Sequence, residues 1–251
     1  MATFVLVPGF WLGAWAWRDV VPPLRALGHD VYPMTLTGLG DRAHLAGPGV
    51  NLTTHITDVV SLIDAEELRD VVLVGHSGAS FVIAGVSDRI PERLSRLVYV
   101  DTPAMPDGFA HIDTMPPAIK EIVTRAIAGE GHGLGWPLPE WAAMRDVLGE
   151  NLSGITDAQL AWVRRHAAAQ PAGMIREPLR LTNDARKAVP RVGILSTFTE
   201  ADVRAFVADG ADWVREMADP GWRFIELPTG HWPMFSRPAD LARALHEAAT
   251  T

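Results

Sequence analysis

A serine held between small residues is the first feature of this chain that could do chemistry. Residues 71–80 read VVLVGHSGAS, four apolar residues followed by Gly75, His76, Ser77, Gly78 and Ala79. A strand that turns sharply into a helix pushes one side chain out of the turn. The residues two before and two after it must then be small, or they collide. Gly75 and Ala79 meet that condition, which makes Ser77 a candidate nucleophile. The helix that follows would bring free N–H groups and the positive end of its dipole close to a developing oxyanion. The same residues would also suit a serine that only caps a helix. The buried run before Ser77 and the amphipathic pattern after it favour the turn.

A serine nucleophile needs a base, and the chain has nine histidines. His29 falls in a turn ahead of a strand and His246 on the last helix. His76 adjoins Ser77, but its side chain is expected to turn away. His231 lies in a glycine-containing loop after the run RFIELPTG. There it could take the Ser77 proton and later return it to a leaving group. An acid must orient that imidazole. Asp101 ends the run LVYVDTP, and a carboxylate closing an apolar strand is expensive to bury without a partner. Glu200 and Asp202, in LSTFTEADV, are the alternatives, although TEAD reads equally as Thr199 capping a helix with acidic residues in its first turn. Asp101 is the acid expected here, its other reading being a cap or turn role before Pro103.

The elements that must position these residues alternate along the chain. Short β-rich runs lie at 3–7, 30–34, 71–75, 97–101, 192–197 and 223–227, and helical patterns at 14–27, 53–66, 77–89, 200–218 and 238–249. The strands are nearly continuous apolar runs (FVLV, VVLV, LVYV, VGIL), as expected of strands buried on both faces. Strand–helix alternation implies an α/β protein with a mainly parallel, roughly six-stranded sheet and right-handed crossovers. Sites in such sheets form at the carboxyl ends of the strands, where Ser77, Asp101 and His231 all fall. Residues 103–190 hold no convincing strand. They read as a helical insertion, with helical stretches at 117–128, 139–148 and 156–170 and a Gly/Pro loop at 129–139. The expected organisation is one domain, 1–251, with 103–190 as a cap over it.

Composition narrows the function. A net charge of −8 over 251 residues argues against nucleic acid, which needs a dense basic face. With no cysteine, disulfides, thiolate metal sites and a cysteine nucleophile are excluded. No apolar run approaches the ~18 residues that span a bilayer. MATFVLVPGF lacks the basic region of a signal peptide. A soluble cytoplasmic protein is expected, with no metal or organic cofactor; its oligomeric state is left open.

Together the landmarks FVLVPGFWLGAWAW, GLGDR, VGHSGA, RLVYVDTPAMPDG and LPTGHWPMFSRP resemble the α/β-hydrolase superfamily. The similarity is greatest to the branch of plant methylesterases, hydroxynitrile lyases and bacterial esterase relatives. It covers nearly the whole chain, the insertion by position only. The order Ser…acid…His is the order in that fold. In most of the family the acid is an Asp in the loop after the fifth strand, where this chain has Thr199; the other known location, the end of the preceding strand, holds Asp101. The resemblance implies an oxyanion hole formed by the backbone N–H groups of Gly78 and Phe10. Pro8-Gly9 replaces the usual His-Gly before Phe10. Nine Trp residues are many for this length, and Trp11, Trp136 and Trp232, with Phe10, are expected to line an apolar or aromatic pocket. Trp15, Trp17 and Trp162 are expected to be packing, and Asp41-Arg42 a turn with a local ion pair. The expected activity is hydrolysis of a small apolar or aromatic carboxylic ester or lactone through an acyl-enzyme. The alternative is a non-hydrolytic member of the fold, either a lyase or a small-molecule-binding protein with a vestigial triad. Hydroxynitrile lyases carry a lysine directly after the catalytic histidine; here that residue is Trp232.

Overall fold

A computed structural model describes residues 1–147, 149, 151–219 and 221–250. Strands β1 (Thr3–Val7), β2 (Asp30–Pro33), β3 (Val71–His76), β4 (Leu94–Val100), β7 (Arg191–Leu195) and β8 (Trp222–Glu226) form one six-stranded sheet in the order β2-β1-β3-β4-β7-β8. Every pairing in it is parallel. The apolar runs lie at its centre: Val72, Leu73 and Val74 of β3 and Val98 and Val100 of β4 are buried. Helices α1 (Val21–Ala26), α2 (Leu52–Ala65), α3 (Ala79–Arg89) and α10 (Pro238–Thr250) flank it, α2 packing on α3 and α1 on α10.

Between β4 and β7 lie α4 (Pro117–Ala128), α5 (Trp141–Asp146), α6 (Asp157–His166) and α7 (Ala172–Arg176). This stretch also contains two strands that the sequence reading lacked, β5 (Gly135–Trp136) and β6 (Gln170–Pro171), paired antiparallel. Two residues each is too short for an alternating pattern to be visible. The helix expected at 139–148 is observed over Trp141–Asp146; Leu148 lies outside the described residues.

Two expected helices are broken, each at its backbone chemistry. The pattern at 14–27 is a 3₁₀ turn at Ala14–Trp17 followed by α1. Pro22 and Pro23 lack an N–H, and they are accommodated in the first turn of a new helix rather than inside a long one. The pattern at 200–218 is α8 (Glu200–Ala208) followed by a 3₁₀ segment, Asp212–Ala218. Gly210 stands between them at φ 72°, the left-handed conformation that ends helices. After β8, the short α9 (Pro233–Ser236) carries the chain into α10. Arg42 does not pair with Asp41. It reaches Asp58 at 3.2 Å and the Thr35 carbonyl at 3.1 Å, so GLGDR ties its loop to α2.

Candidate active site

Ser77 follows β3 at φ 52°, and α3 begins only at Ala79, so the serine is the corner of the turn and not part of the helix. The small neighbours have steric reasons. A Cβ on Gly75 would lie 2.9 Å from the Ile83 side chain and 3.1 Å from the Ala79 carbonyl oxygen. A Cβ on Gly78 would lie 2.3 Å from the Phe10 ring. The Ser77 N–H donates to the Val100 carbonyl at 3.2 Å, anchoring the corner to the end of β4.

Asp101 occupies the matching corner beyond β4, also in a left-handed conformation at φ 49°. Its N–H bonds the Ile194 carbonyl of β7 at 2.8 Å. Its side chain is fully buried and fully used. Oδ1 accepts the N–H groups of Ser196 (2.9 Å) and Thr197 (2.8 Å). Oδ2 accepts the Thr197 hydroxyl (2.9 Å) and lies 2.7 Å from His231 Nδ1. Burial alone would push this carboxyl up. The hydrogen bond and charge of His231, with the N–H groups of Thr197 and Ser196, outweigh burial and hold it below the usual carboxylate range.

His231 lies in the loop after β8. Its Nε2 is 2.9 Å from Ser77 Oγ, so Ser77, His231 and Asp101 form one continuous chain of contacts. Its backbone N–H donates to the Asn151 carbonyl at 2.7 Å, which ties the loop to the insertion. Glu200 and Asp202 are elsewhere. Asp202 accepts the N–H and hydroxyl of Thr199 in a capping box, and Glu200 pairs with Arg204.

His76 has a role that sequence reasoning missed. Its Nε2–H donates to the His231 carbonyl at 2.7 Å, holding the backbone of that loop. Burial, reinforced by the neighbouring His231 charge, lowers its pKa to about 3, so it is neutral. The only signal in sequence was its position beside Ser77.

Phe10, Trp11, Trp136 and Trp232 line one cavity of about 350 Å³ together with Ser77 and His231. Trp11 and Trp136 meet edge to face at 4.6 Å, and the Trp11 indole N–H donates to the Trp136 carbonyl at 2.9 Å. His111, Met115 and Ile119 also line the wall and had not been anticipated. Trp15 and Trp162 pack on each other at 4.9 Å, and Trp17 is fully buried. The N–H groups of Phe10 and Gly78 have no protein acceptor among the described residues. A larger groove, about 560 Å³, opens beside β2, but it contains neither Ser77 nor His231. Among the described residues no group of three or more His, Asp or Glu could hold a metal ion, and no helix is long and apolar enough to cross a membrane.

A parallel sheet with a serine corner after a central strand, a buried carboxylate one strand over and a histidine after the edge strand is the arrangement of α/β hydrolases. The chain belongs to the α/β-hydrolase family, whose model matches residues 4–244. It is similar to the carbendazim-hydrolysing esterase of Nocardioides sp. (strain SG-4G), with 36% identity over 98% of each chain. It is also similar to methylesterase 2 of Arabidopsis thaliana, with 26% identity over 94% of this chain and 91% of that one. Among solved structures, it is similar to an extracellular α/β-hydrolase from a Paenibacillus species, described as sharing structural and functional homology with tobacco salicylic acid binding protein 2. That likeness has a TM-score of 0.84 at 26% identity and covers 100% of both chains. With full-length relatives of this kind, the chain is a carboxylic ester hydrolase.

Proposed function

We propose that the protein hydrolyses a small apolar or aromatic carboxylic ester, or a lactone, through an acyl-enzyme on Ser77. The observation that carries this reading is the unbroken contact chain Ser77 Oγ–His231 Nε2 (2.9 Å) and His231 Nδ1–Asp101 Oδ2 (2.7 Å). His231 Nε2 takes the Ser77 proton as Oγ attacks the ester carbonyl carbon. The carbonyl oxygen becomes an oxyanion and accepts the N–H groups of Phe10 and Gly78. As the tetrahedral intermediate collapses, the C–O bond to the alcohol breaks and His231 passes its proton to the departing oxygen. Water then attacks the acyl-enzyme, with His231 as base again, and releases the carboxylic acid and free Ser77. Asp101 keeps the Nδ1 proton of His231 in place and stabilises the imidazolium.

The substrate class follows from the wall of Phe10, Trp11, Trp136 and Trp232, which offers apolar surface and no cation. Residues 103–190 act as the cap, and Met115, Ile119 and Trp136 from that stretch reach the cavity. The names of the carbendazim-hydrolysing esterase and the methylesterases point the same way. A cytoplasmic location belongs to this reading on the cysteine-free composition.

The test is labelling with a fluorophosphonate followed by peptide mapping. The label is expected on Ser77 alone, and Ser77→Ala should lose both labelling and hydrolysis of 4-nitrophenyl esters. Hydrolysis that persists in purified Ser77→Ala protein would overturn the acyl-enzyme.

A further inference from the structure

A second cavity, about 310 Å³, reaches Ser77 and His231 from another side, lined by Ser80, Thr102, Met105 and Trp213 among others. His111 and Thr114 border both cavities. His111 opens a 3₁₀ turn, His111–Thr114, closed by a hydrogen bond from the Thr114 hydroxyl to the His111 carbonyl at 2.8 Å. Its ring is wedged between Phe10, at 4.4 Å, and Phe81, at 5.4 Å, which prevents it from swinging freely.

The ring carries an unspent hydrogen bond. Nδ1 is buried and has no partner, and Nε2 bonds no protein atom among the described residues. Burial lowers the pKa of this imidazole to about 4, so at neutral pH it holds one N–H. Burying a donor without an acceptor is strongly unfavourable, and orphaned buried N–H groups are rarer than orphaned acceptors. The proton therefore sits on Nε2, the nitrogen left to face the cavities. The substrate that satisfies it must bring an acceptor. A carboxylate is disfavoured, because the lining offers no cation to offset its desolvation.

We propose that His111 is a specificity-determining residue whose Nε2–H donates to a neutral acceptor on the ester, an ether or carbonyl oxygen or a ring nitrogen near the scissile bond. The enzyme then selects such esters over plain alkyl esters of the same shape. This inference rests on the serine-esterase reading above. A site built to bond a polar group discriminates against the analogue that lacks it, because its own group is left unpaired.

The experiment compares 4-nitrophenyl methoxyacetate with 4-nitrophenyl butyrate, in which a methylene replaces the ether oxygen. The ratio of their kcat/KM values is measured in the wild type and in His111→Phe, His111→Leu and His111→Gln. Comparing that ratio between the wild type and each variant cancels the difference in intrinsic reactivity, which is the same in every protein. The preference for the methoxyacetate should fall roughly three- to tenfold in the Phe and Leu variants, chiefly through KM. It should recover in part in the Gln variant, which keeps a donor. A merely structural role would slow both esters equally. An unchanged ratio in whichever of the Phe and Leu variants folds overturns the proposal, as does a Gln variant no more selective than Phe or Leu. If the wild type turns over neither ester, the serine-esterase reading itself fails.

Discussion

Asp101→Asn is the substitution that separates this site most sharply from its alternatives. Two backbone N–H groups, of Ser196 and Thr197, point at Oδ1. An asparagine must present its carbonyl oxygen there, which puts the NH₂ group where Oδ2 stood. That group then faces the Thr197 hydroxyl and His231 Nδ1, at the positions now 2.9 and 2.7 Å from Oδ2. The hydroxyl can turn and accept. His231 Nδ1 must also accept, which moves the imidazole proton to Nε2. Nε2 then aims an N–H, not a lone pair, at Ser77 Oγ 2.9 Å away, and the base is lost. The corresponding change in a serine protease lowers turnover about 10⁴-fold, which is about 5.4 kcal/mol of barrier. The side chain keeps its shape and both backbone bonds, so the fold should survive. The assay is kcat/KM on 4-nitrophenyl butyrate, with thermal unfolding as the control. Glu200→Gln and Asp202→Asn should stay within about twofold, because neither touches His231. A loss below about tenfold in folded Asp101→Asn, or a large loss in Glu200→Gln or Asp202→Asn, refutes the assignment.

Gly78→Ala should force the Phe10 ring aside, since the new methyl would lie 2.3 Å from it, and so disturb both proposed oxyanion donors. Steady-state kinetics should show a loss of roughly 10²-fold or more in kcat, with about 1–3 kcal/mol of stability lost in denaturant titration. Stability should fall with acid before the carboxylates titrate. His76 and His111 stay neutral when folded, with pKa values of about 3 and 4, whereas unfolded histidines take protons below about pH 6.5. Their stabilisation is therefore complete above about pH 6.5 and declines below it. The Tm should drop between pH 7 and pH 5, less steeply in His111→Phe. A flat Tm over that range contradicts their burial as neutral groups. In an ester panel, short aromatic and alkyl esters should exceed monoesters of dicarboxylic acids in kcat/KM; the reverse order would overturn the apolar pocket.

Much of the site was legible in sequence because its requirements are local. The turn at Ser77 needs small residues two positions either side, and the buried strands need continuous apolar runs, so both are written in the order of residues. His231 was legible because it follows the last such run. The tertiary structure decided what no spacing encodes. His231 meets Asp101 across 130 residues and Ser77 across 154. Those separations close because β3, β4, β7 and β8 are successive neighbours in the sheet. That adjacency puts the Ser196 and Thr197 N–H groups of the β7 loop against Asp101, where they help keep it ionised, while TEAD serves its own helix as a cap. The roles of His76 and His111 were hidden for the same reason. A histidine's neutrality and its free nitrogen depend on what surrounds the ring, and only packing brings Phe10 and Phe81 around His111.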